Sequence, residues 1–372
     1  MFHIRGAVLE RIGATRPYAE SRPISVVDLD LDQPGPGEVM VRIEAAGVCH
    51  SDLSVVDGNR VRPVPMLLGH EAAGIVEAVG PGPTTDPADI AVGQRVVLVF
   101  LPRCEHCAAC ATEGLTPCEP GSAANTAGTL LGGGMRLGRG GDRVYHHLGV
   151  SGFATHAVVN RASVVPVPDD VPPSVAALLG CAVLTGGGAV LNVGKPRPGQ
   201  TVAVVGLGGV GMAAVLTALT YDDVRVVGVD QLPEKLTAAT ALGAHEAYTP
   251  QGAAEAGVKA AVVVEAVGHP AALQTSIDLT APGGRTITVG LPPPDARISL
   301  SPLGFVAEGR SLIGSYLGSA VPRRDIPRFV SLWQAGRLPV EALVSSTIRL
   351  DDINSAMDHL ADGLAVRQLI SF

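Results

Sequence analysis

The stretch Thr201-Val202-Ala203-Val204-Val205-Gly206-Leu207-Gly208-Gly209-Val210-Gly211 runs from a β-branched segment straight into a glycine turn. Its first five residues predict a buried strand, and residues 208–219 the helix that follows. Gly206, Gly208, Gly209 and Gly211 permit a tight turn and close approach of backbone to a pyrophosphate facing the helix N-terminus. A second apolar segment, residues 224–229, ends at Asp230, nineteen residues after Gly211. A carboxylate there can accept hydrogen bonds from ribose hydroxyls and would repel a 2′-phosphate, which favours NAD over NADP.

The same alternation continues outward. Residues 233–242 read as a second helix, and 260–264 and 285–289 as further strands. Repetition of strand and helix predicts an α/β fold with a doubly wound parallel sheet. The chain before about residue 180 has another character. Residues 39–44, 74–80 and 94–99 alternate as strands of a β-rich domain. Residues 102–143 lack this pattern and predict a long loop that needs a staple. Beyond about residue 318 the chain is mixed and is expected to rejoin the first domain. The predicted division is therefore 1–181, 182–318 and 319–372.

The staple is legible in Cys104-x2-Cys107-x2-Cys110-x7-Cys118, four thiols that can close a tetrahedral shell around one zinc. A ferredoxin-type iron–sulfur run shares the first two gaps but needs a short third gap followed by Pro, and Glu119 follows Cys118. A zinc knuckle for nucleic acid fits poorly with the charge balance. The two remaining cysteines, Cys49 and Cys181, frame His70. Two Cys and one His leave a fourth position open, the pattern of a catalytic zinc. Taken singly, each of the three reads more readily as a core or structural residue than as a ligand.

Composition narrows the partners. Among 372 residues, 27 basic against 35 acidic side chains leave a net charge of −8, with no basic block. That balance argues against nucleic acid or an anionic membrane. Residues 202–219 carry no charge and are long enough to span a bilayer, but four glycines interrupt them. The first thirteen residues lack an apolar core followed by a cleavage site, so a cytoplasmic location is expected. Reduced thiols in that compartment favour metal over disulfides.

Gly47-Val48-Cys49-His50-Ser51-Asp52, then Gly69-His70-Glu71, then Gly180-Cys181, resemble the zinc-dependent medium-chain alcohol dehydrogenases. The four-Cys lobe, the glycine motif and the closing Val366–Phe372 match the same family in the same order. The resemblance implies a GroES-like catalytic domain, a Rossmann domain and a C-terminal return, with the active site in the cleft between domains. It implies two zinc ions, one on Cys49, His70 and Cys181 and one on Cys104, Cys107, Cys110 and Cys118. Asp52 would orient His70, Glu71 would sit behind the metal, and Ser51 would contact the substrate oxygen. Thr185 and Val210 would pack near the nicotinamide, His50 and Arg367 would contact the pyrophosphate, and Lys235 the adenosine ribose. Phe100, His147 and Leu148 match substrate-pocket positions. The implied chemistry is hydride transfer from an alcohol to NAD, giving an aldehyde or ketone. The family also implies a homodimer, with residues 311–316 as the candidate edge strand.

Two positions depart from the pattern. Ser54 stands where many members carry the His that ends a proton relay, leaving water or another His such as His147 to take the proton. His50 stands where Arg is common and cannot fork onto phosphate as Arg does. Two rival readings remain. One is a dehydrogenase for the adduct of formaldehyde with a small thiol, to which Arg136, Arg139 and Arg143 could supply a polar outer pocket. The other is a non-catalytic NAD-binding homologue.

Overall fold

The computed structural model describes residues 2–82 and 90–372. The chain divides into two units. One comprises the described residues up to Cys181 together with Val321–Val330 and Val344–Phe372; the other comprises Ala182–Ala320 and Ser331–Leu343.

In the first unit the long strand Glu38–Val48 is the organising element. It pairs antiparallel with Ala72–Val79, with His156–Asn160 and with Gln368–Ser371. Its residues are buried at most positions because it has sheet on both edges and core on both faces. Arg95–Leu98 extends the sheet beside Ala72–Val79, and Ser346–Ile348 runs parallel to Gln368–Ser371. A small closed barrel adjoins this sheet. It is formed by Phe2–Leu9, Ile24–Leu31, Leu137–Arg139, Asp142–His146 and Met66–Leu67. Ile4, Val8, Leu29, Leu67, Leu137 and Val144 fill its core.

The segment 102–143 is not one long loop. A helix, Glu119–Ala127, starts directly after Cys118 with Pro120 in its first turn and ends at Gly128 in the left-handed region. A hairpin follows, with Arg139 opposite Asp142. Its two linking residues, Gly140 and Gly141, have φ of 60° and 93°, as a type I′ turn demands. The three arginines of this stretch do not form a polar cluster. Arg136 pairs with Glu38 on the long strand of the sheet, Arg139 with Glu10 and Arg143 with Asp32.

The second unit is a six-stranded parallel sheet in the order Glu246–Tyr248, Arg225–Val229, Thr201–Val205, Ala260–Glu265, Thr280–Thr288, Ser311–Gly314. In chain order that is 3-2-1-4-5-6, the doubly wound arrangement of a dinucleotide-binding domain. The order reverses between Thr201–Val205 and Ala260–Glu265, which places the glycine turn at the switch point. Ser311–Gly314 ends the sheet, so one of its edges is an edge of the sheet. Ala203, Val205, Val227, Val229 and Val263 form the core on one face.

The apolar window at 202–219 resolves into the strand Thr201–Val205 and the helix Gly209–Ala218. A different stretch, Pro173–Gly194, is long and apolar enough to cross a membrane, but 89% of that window is buried within the protein. Core helices of this kind pass the same length test.

Candidate metal and nucleotide sites

Cys49 closes the strand Glu38–Val48 and caps the helix His50–Val56. Three residues on, the Asp52 carboxylate turns back, and its Oδ2 accepts the Cys49 amide at 3.1 Å. Its Oδ1 accepts the Gly69 amide at 3.2 Å and faces His70 Nδ1 at 3.0 Å. One carboxylate therefore ties the two ligand-bearing segments together. With Nδ1 held by Asp52, the other ring nitrogen of His70, Nε2, points at Cys181 Sγ, 3.3 Å away. Cys181 sits in a π-helical stretch, Leu179–Gly187, a distortion common at functional sites.

The ligand atoms of Cys49, His70, Glu71 and Cys181 all lie within 4.8 Å of one another, and all four residues are buried. Glu71 is fully buried, yet its carboxylate accepts no hydrogen bond among the described residues. Its nearest countercharge is Arg367 Nε at 3.6 Å. Burial pushes its pKa up to about 7. Gly47 makes room for it: a Cβ there would lie 2.0 Å from Glu71 Oε1. The two thiols share a hydrogen bond, which holds the Cys49 pKa well below and the Cys181 pKa well above the ordinary thiol value. The donor set fits a zinc ion. Two sulfurs and one imidazole converge from separate elements, and the buried Glu71 carboxylate, which accepts no hydrogen bond among the described residues, stands beside them.

Arg367, matched in sequence to a pyrophosphate contact, is buried beside the cluster. It is 3% exposed and donates from Nη1 to the Val48 carbonyl at 3.2 Å. Burial would lower its pKa, but Glu71 and the two thiolates outweigh that and raise it. Phe100 lies edge-on to the His70 ring, with centroids 5.5 Å apart. His147, matched in sequence to a pocket position, is 1% exposed and faces Asp52 Oδ1 from 3.1 Å. Leu148 is 9% exposed with φ of 50°. Ser51 is half-buried and His50 exposed. The Ser54 hydroxyl donates to the His50 carbonyl at 2.7 Å, closing it into its own helix. Sequence reading missed His146. It is buried, and its Nε2 accepts the Arg136 amide at 3.0 Å. Nothing in the pattern around it signals that role.

The ligand atoms of Cys104, Cys107, Cys110 and Cys118 also lie within 4.8 Å of one another. Cys104 Sγ and Cys110 Sγ are 3.9 Å apart, far beyond a disulfide bond. Backbone amides of Cys104 and Cys110 donate to Cys118 Sγ and Cys107 Sγ, each at 3.4 Å. Burial would raise the Cys107 pKa, but such amide donors outweigh it and bring it down to about 6. Four sulfurs and no open side fit a closed zinc site.

In the second unit Gly206, Gly208, Gly209, Val210 and Gly211 form the turn and open the helix Gly209–Ala218. A Cβ at Gly211 would lie 1.8 Å from the Gly206 carbonyl oxygen, so helix and turn touch through backbone. A Cβ at Gly208 would meet nothing within 4 Å, which leaves open space over the turn. Asp230 accepts the Leu207 amide at 2.7 Å and the Leu232 amide at 3.0 Å, which fixes its carboxylate beside the turn. Lys235 is half-buried on the next helix, Pro233–Ala241, and Thr185 is 8% exposed. These features fit the pyrophosphate and ribose of a dinucleotide.

Residues 35–169 match the family model of the alcohol dehydrogenase GroES-like domain, and residues 209–335 that of the zinc-binding dehydrogenases. The "Putative alcohol dehydrogenase D" of Mycobacterium tuberculosis is 33% identical over 363 residues, spanning 95% of this chain and 97% of that relative. Among solved structures, an alcohol dehydrogenase zinc-binding domain protein from Burkholderia ambifaria superposes with a TM-score of 0.90 at 31% identity, covering 100% and 99% of the two chains. Benzyl alcohol dehydrogenase from Acinetobacter calcoaceticus does so with a TM-score of 0.89 at 29% identity, covering 100% of both. The chain belongs to the zinc-dependent medium-chain alcohol dehydrogenase family. It is an oxidoreductase-type member with a GroES-like and a Rossmann domain.

Proposed function

We propose that this protein is an NAD-dependent zinc alcohol dehydrogenase that reversibly converts a primary or secondary alcohol to the aldehyde or ketone. The observation that carries the reading is the convergence of Cys49, His70 and Cys181, with Glu71 behind them, in one buried cluster. Zinc held there would supply Lewis acidity to a substrate oxygen, and NAD would supply the hydride acceptor.

The chain's own residues do the rest. Asp52 fixes the His70 ring so that Nε2 faces the metal position. Ser51 takes the substrate hydroxyl proton. Ser54 cannot pass it on as a base, since its hydroxyl is spent on the His50 carbonyl. A bound NAD would supply ribose hydroxyls that, with water, offer the proton an onward route. Glu71 and Arg367 form a buried charge pair behind the cluster. Cys104, Cys107, Cys110 and Cys118 hold a second, structural zinc. Gly206, Gly208, Gly209, Val210, Gly211, Asp230, Lys235 and Thr185 hold NAD, with His50 at the pyrophosphate. Phe100 and Leu148 line the substrate pocket. In this reading residues 1–181 are the catalytic domain, 182–318 the nucleotide domain and 319–372 the return, in a cytoplasmic homodimer.

The thiol-adduct alternative loses its support, because Arg136, Arg139 and Arg143 are each matched by a carboxylate. NADH absorbance on mixing the protein with NAD⁺ and benzylic, primary and secondary alcohols tests the proposal, with formaldehyde plus a small thiol as a further arm. Turnover of a free alcohol is expected. Turnover only with thiol present, or none across the panel, would overturn it.

A further inference from the structure

We propose that His147 is a positioning residue for the catalytic metal site, bracing Asp52 from the side opposite His70. The proposal rests on the reading of Cys49, His70 and Cys181 as zinc ligands.

Asp52 is fully buried and ringed by four nitrogen atoms. The Cys49 amide approaches Oδ2, while the Gly69 amide, His70 Nδ1 and His147 Nδ1 approach Oδ1 at 3.2, 3.0 and 3.1 Å. The His147 contact is close in distance but does not meet hydrogen-bond geometry, and Nδ1 makes no other hydrogen bond among the described residues. Asp52, His70 and His147 also bring their atoms within 4.8 Å of one another. Two amide N–H groups aimed at the carboxylate make this a hydrogen-bond hub and not a second cation site.

The ring of His147 cannot easily leave. Its amide donates to the Leu67 carbonyl and to Ser151 Oγ, and its carbonyl accepts from the Val150 and Ser151 amides. It stands edge-on to the His70 ring, with centroids 5.6 Å apart and planes at 87°. An ionised carboxylate oxygen only accepts, so the ring meets it favourably only with a proton on Nδ1. An aliphatic residue would fill the same volume. The nitrogen adds a directional restraint on Asp52, and through Asp52 on the ligand ring of His70.

The test is zinc retention against a graded competing chelator, measured on the full chain without substrate or NAD. Metal present in wild type and missing from Cys49→Ala defines the catalytic equivalent. His147→Ala and His147→Leu are expected to lose that equivalent at about ten-fold lower chelator, within the range for residues behind a metal ligand. The lobe equivalent should hold in both. His147→Asn, whose amide nitrogen can replace Nδ1–H, should stay near wild type. His147→Leu keeps the volume filled and serves where the smaller residue leaves the chain unfolded. Retention equal to wild type in His147→Leu overturns the proposal, and so does a loss in His147→Asn as large as in His147→Leu. A wild type that holds no more metal than Cys49→Ala overturns the ligand reading itself, and this inference with it.

Discussion

The two sulfur clusters of the first unit are built in opposite ways. The lobe draws Cys104, Cys107, Cys110 and Cys118 from one short run, three of them half-buried. Its sulfurs take hydrogen bonds from neighbouring backbone amides. The other cluster draws Cys49, His70 and Cys181 from a strand end, a turn and a π-helical stretch, all of them buried. It also keeps a carboxylate with no hydrogen-bond partner among the described residues. The difference teaches that the lobe is a local staple, whereas the buried cluster exists only when the tertiary fold does. Loss of the first should cost stability, and loss of the second should cost chemistry.

The sharpest way to break this contrast is Cys49→Ala. Turnover is expected to fall by about a thousand-fold or more, as loss of a Lewis acid worth several kcal/mol requires. Its far-ultraviolet circular dichroism should stay at the wild-type level, and an unfolded variant would erase the distinction. The mirror experiment is Cys107→Ser. Its melting temperature is expected to drop by roughly 5–10 °C, corresponding to a few kcal/mol in a domain of this size. Turnover per folded molecule should remain within about two-fold of wild type. Calorimetry and an active-site titration on the same sample decide it.

A third change adds function to the buried cluster without touching the lobe. Ser54→His restores a base where the hydroxyl is now tied to the His50 carbonyl. Alcohol oxidation at pH 7 should rise by about ten-fold, with a smaller gain at pH 9, where hydroxide competes as base. A flat ratio across the pH profile would show that proton departure is not limiting.

The smallest effect concerns acid. Burial lowers the His146 pKa to about 3 from an ordinary value near 6.5. Below pH 6.5 the unfolded chain binds a proton that the native chain refuses, so stability falls as pH drops from about 6.5 toward 3. The slope approaches roughly 1.4 kcal/mol per pH unit in that window. His146→Gln, which can still accept the Arg136 amide, should flatten that part of the denaturant-midpoint curve while leaving both clusters loaded.

Legibility in the sequence followed the range of the interactions. The first two strands and helices of the parallel sheet and the strand Ala260–Glu265 were readable to within a residue or two, because Val-rich runs and glycine punctuation are local signals. Thr201–Val205, Arg225–Val229 and Ala260–Glu265 are examples. Thr280–Thr288, by contrast, begins five residues before the stretch 285–289 that reads as a strand. The four-Cys lobe was readable for the same reason. The hairpin around Gly140 and Gly141 was not, since its strands of three and five residues are too short to show alternation. The matching of Arg136, Arg139 and Arg143 to Glu38, Glu10 and Asp32 was invisible because each pair spans about a hundred positions. The convergence of Cys49, His70 and Cys181 was legible through family resemblance and not through spacing. The turning of His147 onto Asp52 and of Arg367 onto Glu71 depends on which neighbours the fold brings near, and no periodicity encodes it.

The strand Gln368–Ser371 carries a consequence for the order of assembly during synthesis. It lies directly along Glu38–Val48, the strand that ends at Cys49, and Arg367 at its start reaches Val48 and Glu71. On a ribosome the lobe has all its ligands once residue 118 has emerged. The wall behind the buried cluster has to wait for more than two hundred further residues. If both clusters hold zinc as proposed, a nascent chain captured before that point would carry one complete ligand set and an unfinished second, which is completed last.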